Sequence, residues 1–365
     1  MKVNFSLPTS VQLGNDIIQQ SSPQWIIGFK ALIVTGKHSA IASGALKDIT
    51  DCLEREAIKY QLFDEVENNP TIKTCQAGAK VAKAKNCDFI IAIGGGSPLD
   101  AAKAIAVLAT DVSAQNMVQN SFDTALPVIA VPTTSGTGSE VTCYSVMTRE
   151  DLGTKLSFGN SYTYPKFALL DPKYTYSVGE KTTIETAIDT FSHLFEGYLS
   201  VKSNPITDII ALEGLKRFGE VLPYLLKRQF TPEVREKLMY LSLLGGFVLS
   251  QTGVTVVHAM GYAYTYHHHT AHGAANGFLM NTYIEYLESI NVEKLASAMT
   301  AIGLNQSELQ TALTDLLGYP PAIEAEVLKQ YTKETLINQK SVENTLGNLT
   351  TEKILKLWQI QSKIN

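Results

Sequence analysis

The chain has 365 residues, 45% hydrophobic and 18% charged, with a net charge of −5, a composition that excludes a disordered tail and leads us to expect two domain-sized cores. The mild negative charge gives no electrostatic footprint for nucleic acid or an anionic membrane surface. Pro8 interrupts the N-terminus before a secretory apolar core can form and no run of about eighteen apolar residues follows, so a cytoplasmic protein is expected.

In chain order, Val3-Asn-Phe-Ser-Leu7 reads as an edge strand, either added to a partner or laid on the chain's own sheet. Ala31–Thr35, Asp88–Ile93 and Pro127–Val131 are short aliphatic runs that alternate with helical patterns, the signature of parallel strands in an α/β sheet covered on both faces. Cys52, Cys75, Cys87 and Cys143 are scattered without the C-x-x-C spacing of a structural zinc site and read as reduced thiols.

Two glycine-bearing loops lie at strand ends, where such sheets bind ligands. Gly94-Gly-Gly-Ser97 closes the strand at 88–93 and opens a helix from Pro98 to Ala109. A phosphate fits such a place because glycine lets the backbone approach and the helix dipole favours an anion. The motif lacks the third glycine of the dinucleotide fingerprint, and tight strand-to-helix turns also use glycine for geometry alone. The second loop, Pro132-Thr-Thr-Ser-Gly-Thr-Gly-Ser-Glu140, carries five hydroxyls from Thr133 to Ser139 and is either a polar turn or a hydrogen-bonding surface for a polar ligand. Together the two loops suit a diphosphate.

After residue 180 the strand patterns stop. From Thr182 to Ser200 the residues Ile184, Ala187, Ile188, Phe191, Leu194, Phe195 and Tyr198 form one apolar stripe, which predicts an amphipathic helix. Asp189 and His193, at i and i+4, share a face nearly opposite that stripe. An arbitrary pair of this kind is usually a solvated polar face. Helical periodicity recurs at 206–227, 233–250, 273–287, 292–302, 307–317 and 353–364. His258 and His272 supply two further imidazoles, and three nitrogens with one oxygen form a ligand set that Zn²⁺ or Fe²⁺ accepts while leaving room for a substrate oxygen, provided the four converge. An α/β domain over 1–178 packed on an all-helical domain over 179–365, with ligands in the crevice between them, is the expected organisation.

The runs Gly94–Lys103, Pro132–Thr142, Asp189–Ser200 and His258-Ala-Met-Gly…His272-Gly-Ala-Ala-Asn276 resemble, in order and spacing, the iron-containing (group III) alcohol dehydrogenases. The resemblance covers nearly the whole chain. It implies an N-terminal Rossmann-like α/β domain and an all-α C-terminal domain, the dehydroquinate synthase-like fold, with a nicotinamide cofactor. Asp189, His193, His258 and His272 then match the family's metal ligands, and Gly95, Gly96 and Ser97 its pyrophosphate loop. Asp100 and Lys103 belong to the same motif. Asn69 matches the Asn-Pro before the second helix, Thr133, Thr134 and Thr137 the nicotinamide-side loop, and Lys155 the lysine near the cofactor ribose. The implied reaction is hydride transfer between nicotinamide C4 and a small primary alcohol or aldehyde whose oxygen the metal holds. The metal is Fe²⁺ by family analogy, with Zn²⁺, Ni²⁺ or Mn²⁺ as chemically acceptable alternatives.

Members that prefer NAD carry an acidic residue where this chain has Gly36. Glycine leaves space, and Lys37, His38 and Ser39 offer donors to a 2′-phosphate, so NADP(H) is expected; the alternative is that Gly36 serves the turn and NAD(H) is used as well. The chain departs from the family at Tyr262, where many members have a second histidine close to the nicotinamide. A phenol, which titrates at about 10 in water, is a poor base at neutral pH, so the proton route falls to cofactor ribose, Thr137 or water. His267-His-His269 is either a substitute relay or a solvated loop. Phe247, Tyr262, Tyr264 and Tyr266 suggest a partly apolar substrate pocket. Alternatives to this reading are a polyol or glycerol-type dehydrogenase of the same fold group and a non-catalytic nicotinamide-nucleotide sensor. Family habit implies a homodimer.

Overall fold

Lys30–Thr35 (β2), Phe89–Gly94 (β4) and Val128–Pro132 (β5) are buried along almost their whole length, as parallel strands covered on both faces must be. In this computed structural model, which describes residues 3, 5–19, 23–149 and 154–364, they form the centre of a six-stranded sheet. Its other members are Ser10–Leu13 (β1), Lys59–Phe63 (β3) and Phe167–Leu170 (β8), in the order β1-β8-β5-β4-β2-β3. Every pairing in the sheet is parallel.

The period of two along each strand divides the apolar side chains between two cores. Leu32, Val34, Ile90, Ala92, Val128 and Ala130 enter one, together with the helices Ile72–Ala84 and Gly96–Leu108. Ala31, Ile33, Ile91, Ile93, Ile129 and Val131 enter the other, with the helix Ala45–Arg55. An antiparallel pair, Ser145–Arg149 (β6) and Thr154–Phe158 (β7), stands apart from this sheet.

The chain divides into two compact units, one running from Leu7 to Gly179 and the other from Glu180 onward, with Met1–Ser6 grouped in the second. Ser10–Leu13 forms one edge of the sheet, and the described residues of the segment from Val3 to Leu7 take no part in it. Instead, Ser6 donates its N–H to Gln251 Oε1 (3.1 Å) and accepts from Gln251 Nε2 (2.8 Å), which ties this stretch to a helix by side-chain amide bonds. Asn4 of that segment lies outside the described residues.

The second unit is helical. Glu180–Tyr198, Pro205–Leu226, Pro232–Thr252, Val256–His267 and His272–Ser289 build one continuous apolar core. Its helices approach closely at glycines: a Cβ on Gly214 would lie 2.5 Å from Leu194 Cδ2, and one on Gly197 2.2 Å from Val248 Cγ1. Gly253, at φ 66, ends the helix Pro232–Thr252. The chain then turns through 111° into Val256–His267, and that turn sets the direction from which His258 enters the core. Among the described residues no single helix is long and apolar enough to cross a membrane.

Candidate metal centre and dinucleotide loops

The helix Glu180–Tyr198 is buried on both of its faces, so the polar face carrying Asp189 and His193 is not solvated. Asp189 is 3% and His193 4% exposed. His258 is 2% exposed, while the His272 side chain, at the start of its helix, retains 32%. Three helices thus bring four side chains to one place. The Nε2 atoms of His193, His258 and His272 lie 3.8, 3.7 and 3.8 Å from the same oxygen, Asp189 Oδ1. The ligand atoms of Asp189, His258 and His272 are all within 4.8 Å of one another. The His193 ring stacks on His258 with centroids 4.9 Å apart.

These residues fit a divalent cation. Nitrogen and oxygen ligands at about 2.0–2.2 Å in a tetrahedron stand roughly 3.3–3.6 Å apart, close to the spacing seen around Asp189. Burial acts to raise the Asp189 carboxyl, but the imidazoles of His193, His272 and His258 and the amide of Asn276 outweigh it and hold it below the usual carboxylate range. Asn276, one turn beyond His272, places its amide nitrogen 3.0 Å from Asp189 Oδ1 and 3.1 Å from His258 Nε2. Its own Oδ1 is buried without a hydrogen-bond partner.

Glu196 is a further residue of this site, outside the candidates the sequence singles out. It lies three residues beyond His193 on the same helix, fully buried, with Oε1 2.6 Å from His258 Nδ1. The signal was available: Asp189, His193 and Glu196 fall at i, i+4 and i+7. Tyr262, 7% exposed, stacks on His272 with centroids 5.6 Å apart and the rings 13° from parallel. The phenol therefore packs on the face of the most exposed candidate ligand.

Other aromatic and imidazole candidates lie elsewhere. Tyr264 is fully buried, packed against Trp358 and bonded to Gln361 Nε2, so it belongs to the core and not to a pocket wall. His267 pairs with Glu334 at 2.9 Å and stacks on Tyr331, while His268 Nε2 lies 3.0 Å from the Tyr331 hydroxyl. Those two histidines fasten the end of Val256–His267 to the helix Leu328–Ile337, a structural task in place of a solvated loop or a relay.

In the first unit the two glycine-bearing loops pack on each other. Gly94 has φ +153, a conformation reserved to glycine, and a Cβ there would lie 2.5 Å from Pro98 Cγ. A Cβ on Gly96 would lie 2.9 Å from Thr137 Cγ2, and one on Gly95 3.1 Å from Thr134 Oγ1. The helix Gly96–Leu108 receives no side-chain cap, leaving its first N–H groups to an anion. Thr133 Oγ1 and Ser135 Oγ are buried without hydrogen-bond partners, an unusual state for hydroxyls that a polar ligand would relieve. The loops accordingly fit a dinucleotide. Asn69, at φ 59, donates its N–H to Ser97 Oγ (3.1 Å) and accepts from Lys155 Nζ (2.6 Å), so these three candidates form one cluster.

Asp100 and Lys103 brace this arrangement from behind. The Asp100 carboxylate accepts from Ser139 Oγ at 2.6 Å and Val146 N at 2.9 Å, engaging both oxygens within the protein. Lys103, fully buried, donates to Ser139 Oγ and to the Tyr144 carbonyl. Gly36 follows β2, and a Cβ there would lie 3.1 Å from the Val66 carbonyl oxygen; Lys37 is exposed beside it, and Ser39 opens the short helix Ser39–Ala42.

Glu140 closes the second loop at 2% exposure. Burial pushes its carboxyl from 4.5 up to about 7, against its own backbone N–H and Lys103, which act the other way. The folded state thus holds this proton more tightly than the unfolded chain. The contribution is present below pH 4.5 and lost as pH rises through about 7. Glu140→Gln removes the cost of the buried charge. It should stabilise the protein by on the order of 3 kcal/mol at pH 8 and by much less at pH 5.5. Urea unfolding at the two pH values checks this, and an equal effect at both would contradict it.

Residues 8–172 match the family described as iron-containing alcohol dehydrogenase, and residues 183–319 match its C-terminal family. The chain is 30% identical over 313 residues to 1,3-propanediol dehydrogenase of Klebsiella pneumoniae, covering 85% of this chain and 80% of that protein. It is 30% identical over 280 residues to alcohol dehydrogenase 4 of Schizosaccharomyces pombe, covering 76% of this chain and 66% of that protein. A crystal structure of an iron-containing alcohol dehydrogenase from Thermotoga maritima superposes with a TM-score of 0.91 at 35% identity over 99% of each chain. The chain belongs to the iron-containing alcohol dehydrogenase family.

Proposed function

We propose that the protein is a metal-dependent, NADP(H)-linked alcohol dehydrogenase that interconverts small primary alcohols and their aldehydes. The observation that carries this reading is the convergence of three imidazole nitrogens on Asp189 Oδ1 in a buried pocket of helices. Asp189, His193, His258 and His272 would hold the ion. A divalent cation there supplies Lewis acidity, lowering the pKa of an alcohol oxygen or polarising a carbonyl. Burial of three of the four ligands excludes water, so charge developing on a substrate oxygen is poorly screened. Gly95, Gly96 and the uncapped helix behind them would take the pyrophosphate, and Thr133, Ser135 and Thr137 the amide end of the nicotinamide. Tyr262 fills the place where a basic imidazole is common in the family and limits the room beside His272.

Support for NADP(H) comes from the end of β2. A carboxylate at position 36 would repel a 2′-phosphate, whereas Gly36 carries none. Exposed Lys37 and His38 are placed next in the chain as donors. The same reading takes the protein as a cytoplasmic homodimer.

The test is reduction of a panel of short aldehydes by metal-loaded protein, with NADPH and NADH compared at kcat/KM. Preference for NADPH by about tenfold or more supports the proposal. Preference for NADH overturns the cofactor assignment. Dinucleotide binding with no metal-dependent turnover of any alcohol or aldehyde would favour a nucleotide sensor.

A further inference from the structure

Glu196 is the most fully engaged acidic side chain near the ligands. Its Oε2 accepts from both the backbone N–H of Thr255 (2.8 Å) and the Thr255 hydroxyl (2.6 Å), while Oε1 faces His258 Nδ1 at 2.6 Å. A carboxylate with no exposed surface is costly unless its oxygens are paired, and here both are. Thr255 is itself fully buried, three residues before His258, at the N-cap of the helix Val256–His267. The carboxylate therefore fixes the entry of that helix as well as the ring it carries.

The hydrogen bond also decides where the imidazole proton resides. A carboxylate that accepts from Nδ1 places the imidazole proton on Nδ1 and leaves the Nε2 lone pair available as a ligand, in the structure 3.1 Å from the Asn276 amide nitrogen and 3.7 Å from Asp189 Oδ1. We propose that Glu196 is a positioning residue of the metal centre: through the Thr255–Glu196–His258 chain it selects the Nδ1–H tautomer of His258, holds the ring in ligating orientation and increases its donor strength. One helix then supplies two ligands, Asp189 and His193, and the carboxylate that sets a third. This inference rests on the metal-centre part of the proposed function and is independent of its substrate and cofactor.

Glutamine at 196 keeps the shape but removes the charge and one acceptor. Its amide nitrogen must face either His258 Nδ1–H or the Thr255 donors, and either arrangement sets donor against donor. The experiment compares full-length wild type, Glu196→Gln and Thr255→Val, each loaded with Co²⁺ and competed with a chelator. The Co²⁺ visible spectrum, the dinucleotide Kd and the Tm of metal-stripped protein are recorded alongside. Glu196→Gln is expected to weaken Co²⁺ retention by about 10–100-fold and to shift the ligand-field bands. Thr255→Val should weaken retention less, in the same direction, and the dinucleotide Kd should stay at the wild-type value in both variants. Should Glu196→Gln fail to fold, the Thr255→Val arm decides. Co²⁺ affinity and spectrum unchanged in the folded variants, with only the Tm lowered, would overturn the proposal and leave Glu196 a structural residue. A wild-type chain that binds no Co²⁺ overturns the metal-centre reading and this inference together. Absence of aldehyde turnover despite shifted Co²⁺ affinity overturns only the substrate reading.

Discussion

His258→Ala is expected to lower kcat by roughly 10³-fold or more, because loss of a ligand forfeits several kcal/mol of charge stabilisation at the substrate oxygen. Two effects combine at this position. The ligand set loses the nitrogen 3.7 Å from Asp189 Oδ1, and Glu196 keeps its charge with its His258 partner removed. Leaving a buried carboxylate without one of its hydrogen-bond donors costs about 1–3 kcal/mol or more, so the variant should also unfold at lower temperature. His258→Gln retains a polar group toward Glu196 and separates the two effects: its Tm should recover in part while kcat does not. His267→Ala is the control. That imidazole is engaged with Glu334 and Tyr331, and its loss should leave kcat near the parent value. Equal losses in the 258 and 267 variants would contradict the assignment of His258.

Gly273→Ala should be a severely damaging single-methyl change. A Cβ at 273 would lie 1.8 Å from the Glu185 carbonyl oxygen and 3.0 Å from Asp189 Cβ. The obstacle is backbone, so no rotamer change relieves it; the helices Glu180–Tyr198 and His272–Ser289 must move apart by more than an ångström or so. Those helices carry Asp189, His193 and His272, and the same displacement loosens the ligand geometry. We expect about 3 kcal/mol or more of destabilisation, with metal affinity falling in parallel, read from urea unfolding and chelator competition. Gly44→Ala offers the contrast. Its φ is +81 but nothing lies within 4 Å, and only the backbone preference of about 1 kcal/mol is at stake. Parent-like stability of the Gly273 variant would show that the two helices are not in the contact described.

The central strands were legible because aliphatic runs buried on both faces are unbroken, and β2, β4 and β5 begin and end within a residue or so of the expected limits. The outer strands were not. β3 reads Lys-Tyr-Gln-Leu-Phe and is exposed at its start, and β8 spans four residues, so neither gives a period to detect. The helix Val256–His267, which carries His258, also went unseen. Residues Val256–Thr265 are all buried, and a helix with no polar face has no 3.6-residue pattern.

That Asp189 and His193 share a face was legible from spacing, since they need only one helix to do so, and the resemblance added His258 and His272, whose Nε2 atoms lie near Asp189 Oδ1. The spacing puts Glu196 on the face of Asp189 and His193, but a glutamate on a helix is ordinarily solvated, and its partner is known only once a turn of 111° brings His258 against it. His267 and His268 appeared as a possible relay because sequence adjacency says nothing of Tyr331 and Glu334, more than sixty residues away.

The most direct test of the account is an anaerobic titration of metal-stripped protein with Fe²⁺, following aldehyde-dependent oxidation of nicotinamide cofactor. We predict that activity rises from baseline and reaches its limit at one ion per chain, and that the His193→Ala and His258→Ala variants give no such break. Full turnover by the stripped protein, indifferent to added metal, would contradict the claim that Asp189, His193, His258 and His272 form the centre on which the reaction depends.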